Sequence, residues 1–167
     1  EGARPTCPSI NAIFLDGRGS HVRESIWYAA DIFSSRSDNI QETFGLTPLE
    51  AMAAGLPVVV TDWNGYRDTI IDGETGIAIP TVSLPPGLGG DIAFRHAAGL
   101  DSYDRYLGHA SLCTSVDAGA CEKAFVRLID DADLRRRMGA AGQKHASEKF
   151  DWAMVVASYQ ALWDSLA

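Results

Sequence analysis

The sequence predicts an α/β protein, a parallel doubly wound sheet followed by C-terminal helices. Three observations carry that expectation. Short strand-like runs recur at 32–34, 58–60 and 77–79, of which 58–60 is β-branched throughout and suited to a strand covered on both faces. Between them lie segments of helical period bounded by glycine or proline, the alternation that parallel crossovers require. From Asp117 onward the apolar residues keep a helical spacing with no further strand-like run.

In chain order, residues 1–11 hold two prolines and read as an irregular lead-in. Residues 12–15 are a short apolar run stopped by Asp16, Gly17, Arg18 and Gly19, which reads as a first strand and a turn. Gly17 and Gly19 suggest a phosphate loop, but the third glycine is missing and no helix is expected to open at once, so a plain turn is the better reading. Val22, Ile26, Ala29 and Ala30 keep helical spacing, and the strand at 32–34 follows. The loop at 35–39 carries Arg36, either a solvated side chain or a cation for a diphosphate.

The stretch 42–60 is the most specific. It reads as a polar loop, a short helix, a tight turn and a buried strand. Thr47 is the expected N-cap, with Pro48 at the first helical position and Glu50 completing a capping box. Gly55 suits the left-handed position past the helix, and Pro57 prevents continuation. The turn at 61–68 leaves the carboxyl end of a parallel strand, where open α/β sheets place ligands. Its Trp63 and Tyr66 either pack over the loop, the simpler role, or shape a pocket.

After the strand at 77–79, closed by Pro80, residues 81–116 are the least regular part, with short helices expected at 91–98 and 101–111. Asp117 is the N-cap of a helix with Cys121, Ala124, Phe125, Leu128 and Ile129 in one stripe. An acidic turn at 130–133 leads to a basic helix with Leu134, Met138 and Ala141 inward and most of Arg135, Arg136 and Arg137 in solvent. Asp151 caps a last helix whose face of Trp152, Val155, Val156, Tyr159, Leu162, Trp163 and Leu166 needs a partner.

Composition narrows the classes. The chain has 167 residues, enough for one domain with a proper core, and its 46% hydrophobic and 22% charged content is ordinary for a soluble protein. A net charge of −8 argues against nucleic acid or an anionic membrane surface as a partner. Cys7, Cys113 and Cys121 lack metal-ligand spacing, so neither a disulfide framework nor a zinc site is expected. Without a signal peptide or an apolar run of membrane-spanning length, a soluble cytoplasmic protein is the expectation.

The chemistry of 42–60 follows from its parts. A loop feeding a helix N-terminus offers backbone N–H groups and partial positive charge, a seat for phosphate. Gly45 lets the backbone approach a ligand. Glu42 and Glu50 repel phosphate but accept hydrogen bonds from sugar hydroxyls on either side of it. Phosphate flanked by hydroxyls describes a nucleotide sugar. The structural alternative keeps Glu50 as a capping residue only.

The run Glu42, Thr43, Phe44, Gly45, Leu46, Thr47, Pro48, Leu49, Glu50 resembles the E-x7-E signature of retaining glycosyltransferases of GT-B fold, particularly glycosyltransferase family 4. The resemblance continues through Gly65, Asp72, Gly73, Thr75, Gly76 and Pro80. It implies a Rossmann-like sheet that is part of the GT-B C-terminal domain: residues 1–80 as the second half of the donor-binding domain, 81–116 as an insertion with short helices, and 117–167 as C-terminal helices of that domain. Emerging beside the cleft, the insertion would be a lid or a packed excursion. By the same resemblance, Glu50 holds the ribose hydroxyls and Glu42 contacts the donor sugar as candidate catalytic residue, its direct part in the chemistry left open. The backbone of Phe44, Gly45, Leu46 and Thr47 cradles the distal phosphate, with neither metal nor other cofactor.

The family also has two earlier strands, an arginine–lysine pair on the diphosphate and an N-terminal acceptor domain, none of which these residues supply. The expectation is therefore a truncated donor-binding part, inactive alone, whose partners are a nucleotide diphosphate sugar and the missing N-terminal domain. Its open sheet edge would re-pair with 12–15 or be buried in a homo-oligomer. Two alternatives stand beside this: a nucleotide-sugar epimerase of GT-B fold, and a non-catalytic nucleotide-sugar binding or oligomerisation module.

Overall fold

The computed structural model describes residues 9–166. They divide into two compact units, one ending at Ala30 and the other beginning at Asp31. Most of the expected lead-in, with Cys7, lies outside the described residues.

In the first unit the expected strand at 12–15 does not form; the backbone there is irregular. A strand exists only where a neighbour completes its hydrogen bonds, and four apolar residues do not supply one. The glycine turn is closed on itself, with the Arg18 N–H and guanidinium both donating to the Asp16 carboxylate. Helix α1 (Ser20–Ala29) opens directly at Gly19, correcting the expected delay.

The second unit is built on a three-stranded parallel sheet in the order β1 (Phe33–Ser35), β2 (Val58–Thr61), β3 (Gly76–Ile79). Phe33 stands opposite Val58, and Val58 opposite Gly76. All of β2 is buried, as its β-branched run requires. Helix α2 (Leu46–Ala53) crosses from β1 to β2, and the single turn α3 (Tyr66–Thr69) crosses from β2 to β3. With no strand formed at 12–15, the sheet has three strands, and β1 is hydrogen-bonded to β2 alone among the described residues.

Residues after β3 form a two-stranded antiparallel ribbon, β4 (Thr81–Val82) with β5 (Ser115–Val116), which the sequence did not announce. It brackets the helices α4 (Gly90–Ala97) and α5 (Tyr103–Leu112). Then come α6 (Ala118–Asp130), α7 (Ala132–Lys149) and α8 (Trp152–Leu166). Asp117 caps α6 through the Ala120 N–H, and Asp131 caps α7 through the Leu134 N–H. Arg135 donates to the carbonyls of Leu128 and Ile129, closing the C-terminus of α6.

One face of the sheet, through Val59 and Ile79, packs on Cys121, Ala124 and Leu128 of α6 and on Leu134 and Met138 of α7. Ile129, expected in the inward stripe, is exposed. No residue of α8 is buried. Among the described residues no helix is long and apolar enough to cross a membrane.

Candidate functional site

The carboxyl ends of β1 and β2 converge on the loop that carries Glu42. Five of the six positions after Val60 tie that loop down. Thr61 Oγ1 donates to the Ser37 carbonyl at 2.6 Å, Trp63 Nε1 to the Asn39 carbonyl at 2.9 Å, and Asn64 Nδ2 to the Ile40 carbonyl at 3.3 Å. The Gly65 N–H reaches the Glu42 carbonyl at 3.4 Å, and the Tyr66 hydroxyl donates to Glu42 Oε2 at 3.1 Å. Trp63 thus packs and bonds over the loop, while Tyr66 does more than pack.

Tyr66 is 2% exposed, and its hydroxyl lies 2.7 Å from Ser35 Oγ at the end of β1. Burial, with the Glu42 carboxylate beside it, pushes the phenol pKa up against the Ser35 hydrogen bond, so it stays protonated at neutral pH. Its ring fits only because position 45 has no Cβ, which would stand 2.5 Å from two ring carbons. Gly65 is needed as well, since a Cβ there would collide with the backbone of Thr43 and Phe44.

The start of α2 differs from the expected capping box. Gly45 is the N-cap, left-handed at φ 90, and no side chain caps the helix. A left-handed turn open to glycine admits the chain to the helix at Leu46, two residues early. Pro48 then sits in the first turn, where a missing N–H costs nothing, and Thr47 and Glu50 are not paired in a box. Glu50 is exposed; it shares a helical face with Leu46, four residues earlier, and its Cα–Cβ bond tilts toward the helix N-terminus. The end of α2 follows expectation: Gly55 at φ 83 donates to the Met52 carbonyl at 2.8 Å, and Leu56 to Ala51 at 3.0 Å.

The remaining site residues fall into place around this start. Glu42 is half-buried, with one carboxylate oxygen fixed by Tyr66. Phe44 is partly exposed, its ring edge-on to Phe150 at 6.0 Å between centroids. Leu46 and Thr47 are exposed at the first turn of α2. Arg36 is exposed on the preceding loop. Among the described residues no cluster of histidine, cysteine, aspartate and glutamate could hold a metal ion.

A cavity of about 190 Å³ lies beside the carboxyl end of β2, lined by Thr61, Asp62, Tyr66, Arg67, Ile70 and Asp72 among others. Neither glutamate lines it; Arg67 Nε donates to Asp62 Oδ1 at 2.6 Å, and Asp72 Oδ1 accepts from the Ala78 N–H at 2.9 Å. Tyr66 is the wall between this cavity and Glu42. The sequence missed Tyr66 and Ser35 as supports of Glu42, because their link spans a helix and a strand and leaves no local spacing. It also missed Tyr103 of α5, whose hydroxyl accepts from Gln41 Nε2 at 3.2 Å beside Glu42.

The chain is similar to several known proteins. Residues 10–84 match the family model described as glycosyl transferases group 1. The chain is 29% identical over 154 residues to a D-inositol 3-phosphate glycosyltransferase of Corynebacterium diphtheriae, covering 92% of this chain and 27% of that protein. It is 29% identical over 126 residues to a phosphatidyl-myo-inositol mannosyltransferase of Mycobacterium leprae, covering 75% and 24%. The chain therefore spans about a quarter of the length of the curated relatives it matches. Among solved structures, sucrose-phosphate synthase from Thermosynechococcus elongatus superposes with a TM-score of 0.64 at 22% identity, over 99% of this chain and 33% of that one. Anabaena HepE in complex with UDP and glucose gives 0.51 at 21% identity, over 84% and 28%. Residues 10–84 thus carry the glycosyl transferases group 1 pattern, and the α/β fold of the chain is that of the GT-B structures it matches.

Proposed function

We propose that the chain supplies the donor site of a retaining glycosyltransferase that transfers a hexosyl group from a nucleotide diphosphate sugar. The observation that carries the reading is the start of α2: a helix N-terminus with no side-chain cap, entered through Gly45, with Glu42 held before it and Glu50 one turn beyond. The Anabaena structure, solved with UDP and glucose, supports a nucleotide sugar as the ligand class.

Each residue has a stated part. The backbone of Phe44, Gly45, Leu46 and Thr47 receives the distal phosphate, while Glu50 accepts from the ribose hydroxyls and Glu42 from the sugar hydroxyls. As the sugar departs, negative charge grows on the diphosphate. It meets the positive end of α2, so the chain's own backbone stabilises the leaving group without calling on a metal ion. Glu42 stands on the sugar side of that bond and is the candidate to stabilise positive charge developing at the anomeric carbon.

The test is calorimetry of the chain with UDP-glucose, GDP-mannose and ADP-glucose. One of them binds, and Glu50→Ala weakens it about tenfold, the loss expected when a charged hydrogen bond to the ribose is removed. If none of the three binds, or if Glu50→Ala binds as tightly as the wild type, the donor-site reading fails.

A further inference from the structure

We propose that Tyr66 is the positioning residue for Glu42: backed by Ser35, its hydroxyl fixes one carboxylate oxygen of Glu42 and so presents the other to the sugar of a bound nucleotide sugar. This rests on the reading of Glu42 as a donor-sugar ligand.

Hydrogen-bond chemistry gives the arrangement a direction. An ionised carboxylate only accepts, so the single Tyr66 proton goes to Glu42 Oε2 at 3.1 Å. The 2.7 Å contact between Ser35 Oγ and the Tyr66 oxygen must then run from serine to tyrosine. Serine donates to tyrosine and tyrosine to glutamate, in a chain that begins at the end of β1 and ends at the ligand loop. One Glu42 oxygen is committed; the other keeps its lone pairs for sugar hydroxyls.

The hydroxyl is held where it is by packing from both sides. The ring is buried and lies in the space left by the missing Cβ of Gly45, and Gly65 lets α3 close on the Thr43–Phe44 peptide. The backbone of Glu42 is fixed separately, its N–H to the Asn39 carbonyl at 3.0 Å and its carbonyl to the Gly65 N–H. With main chain and one carboxylate oxygen both anchored, Glu42 meets its ligand with little rotamer freedom left to lose. If packing were the whole role of Tyr66, phenylalanine would serve equally, and the hydroxyl is the atom that distinguishes the two.

The experiment uses the pair that the wild-type chain binds, UDP-glucose with UDP or GDP-mannose with GDP. Tyr66→Phe keeps the ring and removes the hydroxyl. Affinity for the sugar nucleotide falls about fivefold to tenfold while affinity for the bare diphosphate stays within about twofold, because only the sugar touches Glu42. In a Glu42→Gln background the same substitution adds little, the non-additivity of two groups acting as one. Ser35→Ala leaves the ring untouched and gives a smaller loss of the same selectivity, which guards against a Tyr66 variant that folds poorly. Equal losses for sugar nucleotide and diphosphate, or no loss in Tyr66→Phe where Glu42→Gln does weaken binding, would overturn this role for Tyr66 alone. A Glu42→Gln chain that binds the sugar nucleotide as tightly as the wild type, or a wild type that binds none of these ligands, overturns the donor reading and this proposal together.

Discussion

Gly45 is asked for two things at once, a left-handed backbone and an absent side chain. Its φ is 90, and a Cβ would stand 2.5 Å from the Tyr66 ring, which is buried and cannot retreat. An alanine pays a left-handed penalty of roughly 1–2 kcal/mol and an overpacking penalty of roughly 1–3 kcal/mol. Gly45→Ala is therefore expected to lose about 2–5 kcal/mol in urea unfolding, seen as a lower midpoint at unchanged slope. Gly73 is the control: its φ is 76, but a Cβ there meets open space, so Gly73→Ala shows the backbone part alone. Equal losses at the two positions would mean that the Tyr66 contact carries no energy. The sequence shows why Gly45 was half-read. Its closeness to a ligand loop is local and visible, whereas the ring beneath it comes from position 66, across α2 and β2. The same distance hid the true helix start, since the rule that favoured Thr47 weighs near neighbours only.

Elements were legible in proportion to how local their causes are. Asp117 and Asp151 announce helix starts through bonds spanning two or three residues, and each bond is present. The 12–15 strand failed and the β4–β5 ribbon went unseen for one reason: pairing depends on a partner outside the local sequence, as Thr81 pairs with Val116. The helices bracketed by that ribbon are joined by a polar knot. The Asp101 carboxylate, 1% exposed, accepts from Arg95 Nε at 2.7 Å and Nη2 at 3.1 Å, with Arg105 and His109 each at 3.9 Å. His96 stacks on Tyr106 at 5.2 Å beside it. The Arg95 hydrogen bonds hold Asp101 below the usual carboxylate range, outweighing desolvation. A folded-state pKa below the unfolded one gives stability that is present above the unfolded value and lost as pH falls through the folded one. Acidification below about pH 4 should therefore loosen α4 and α5. Amide exchange read by mass spectrometry checks this: residues 90–112 gain exchange at pH 3 relative to pH 5, once corrected for intrinsic rates, and Asp101→Asn shows the gain already at pH 7. Uniform exchange change across the sheet and these helices would assign the acid sensitivity elsewhere.

At the scale of the whole sheet-bearing unit, the sheet is joined to its helical layer where α7 crosses the turn between α2 and β2. Gly55 makes that turn in the left-handed conformation, and its carbonyl lies where a Cβ on Gly139 would be. Gly142, one turn on, faces Met52 of α2, with a Cβ contact of 3.1 Å to the methionine Cγ. The two glycines are close in sequence and opposite in consequence. Either substitution by alanine gains about 1 kcal/mol of helix propensity. At Gly142 the opposing atom belongs to a flexible side chain that can shift a few tenths of an ångström, so gain and cost nearly cancel. At Gly139 the opposing atom is backbone, held by the Gly55 and Leu56 hydrogen bonds to Met52 and Ala51. It cannot yield without breaking the end of α2 or moving α7 away from Val59 and Ile79, the centre of the core. Gly139→Ala is thus expected to lose about 2 kcal/mol or more net, a fall of roughly 4–8 °C in Tm for a chain of this size, while Gly142→Ala stays within about 2 °C of the wild type. Differential scanning calorimetry of the two variants decides the matter. A Tm unchanged by Gly139→Ala would mean that α7 does not rest on the Gly55 turn, and that the helical layer is tied to the sheet by side chains alone.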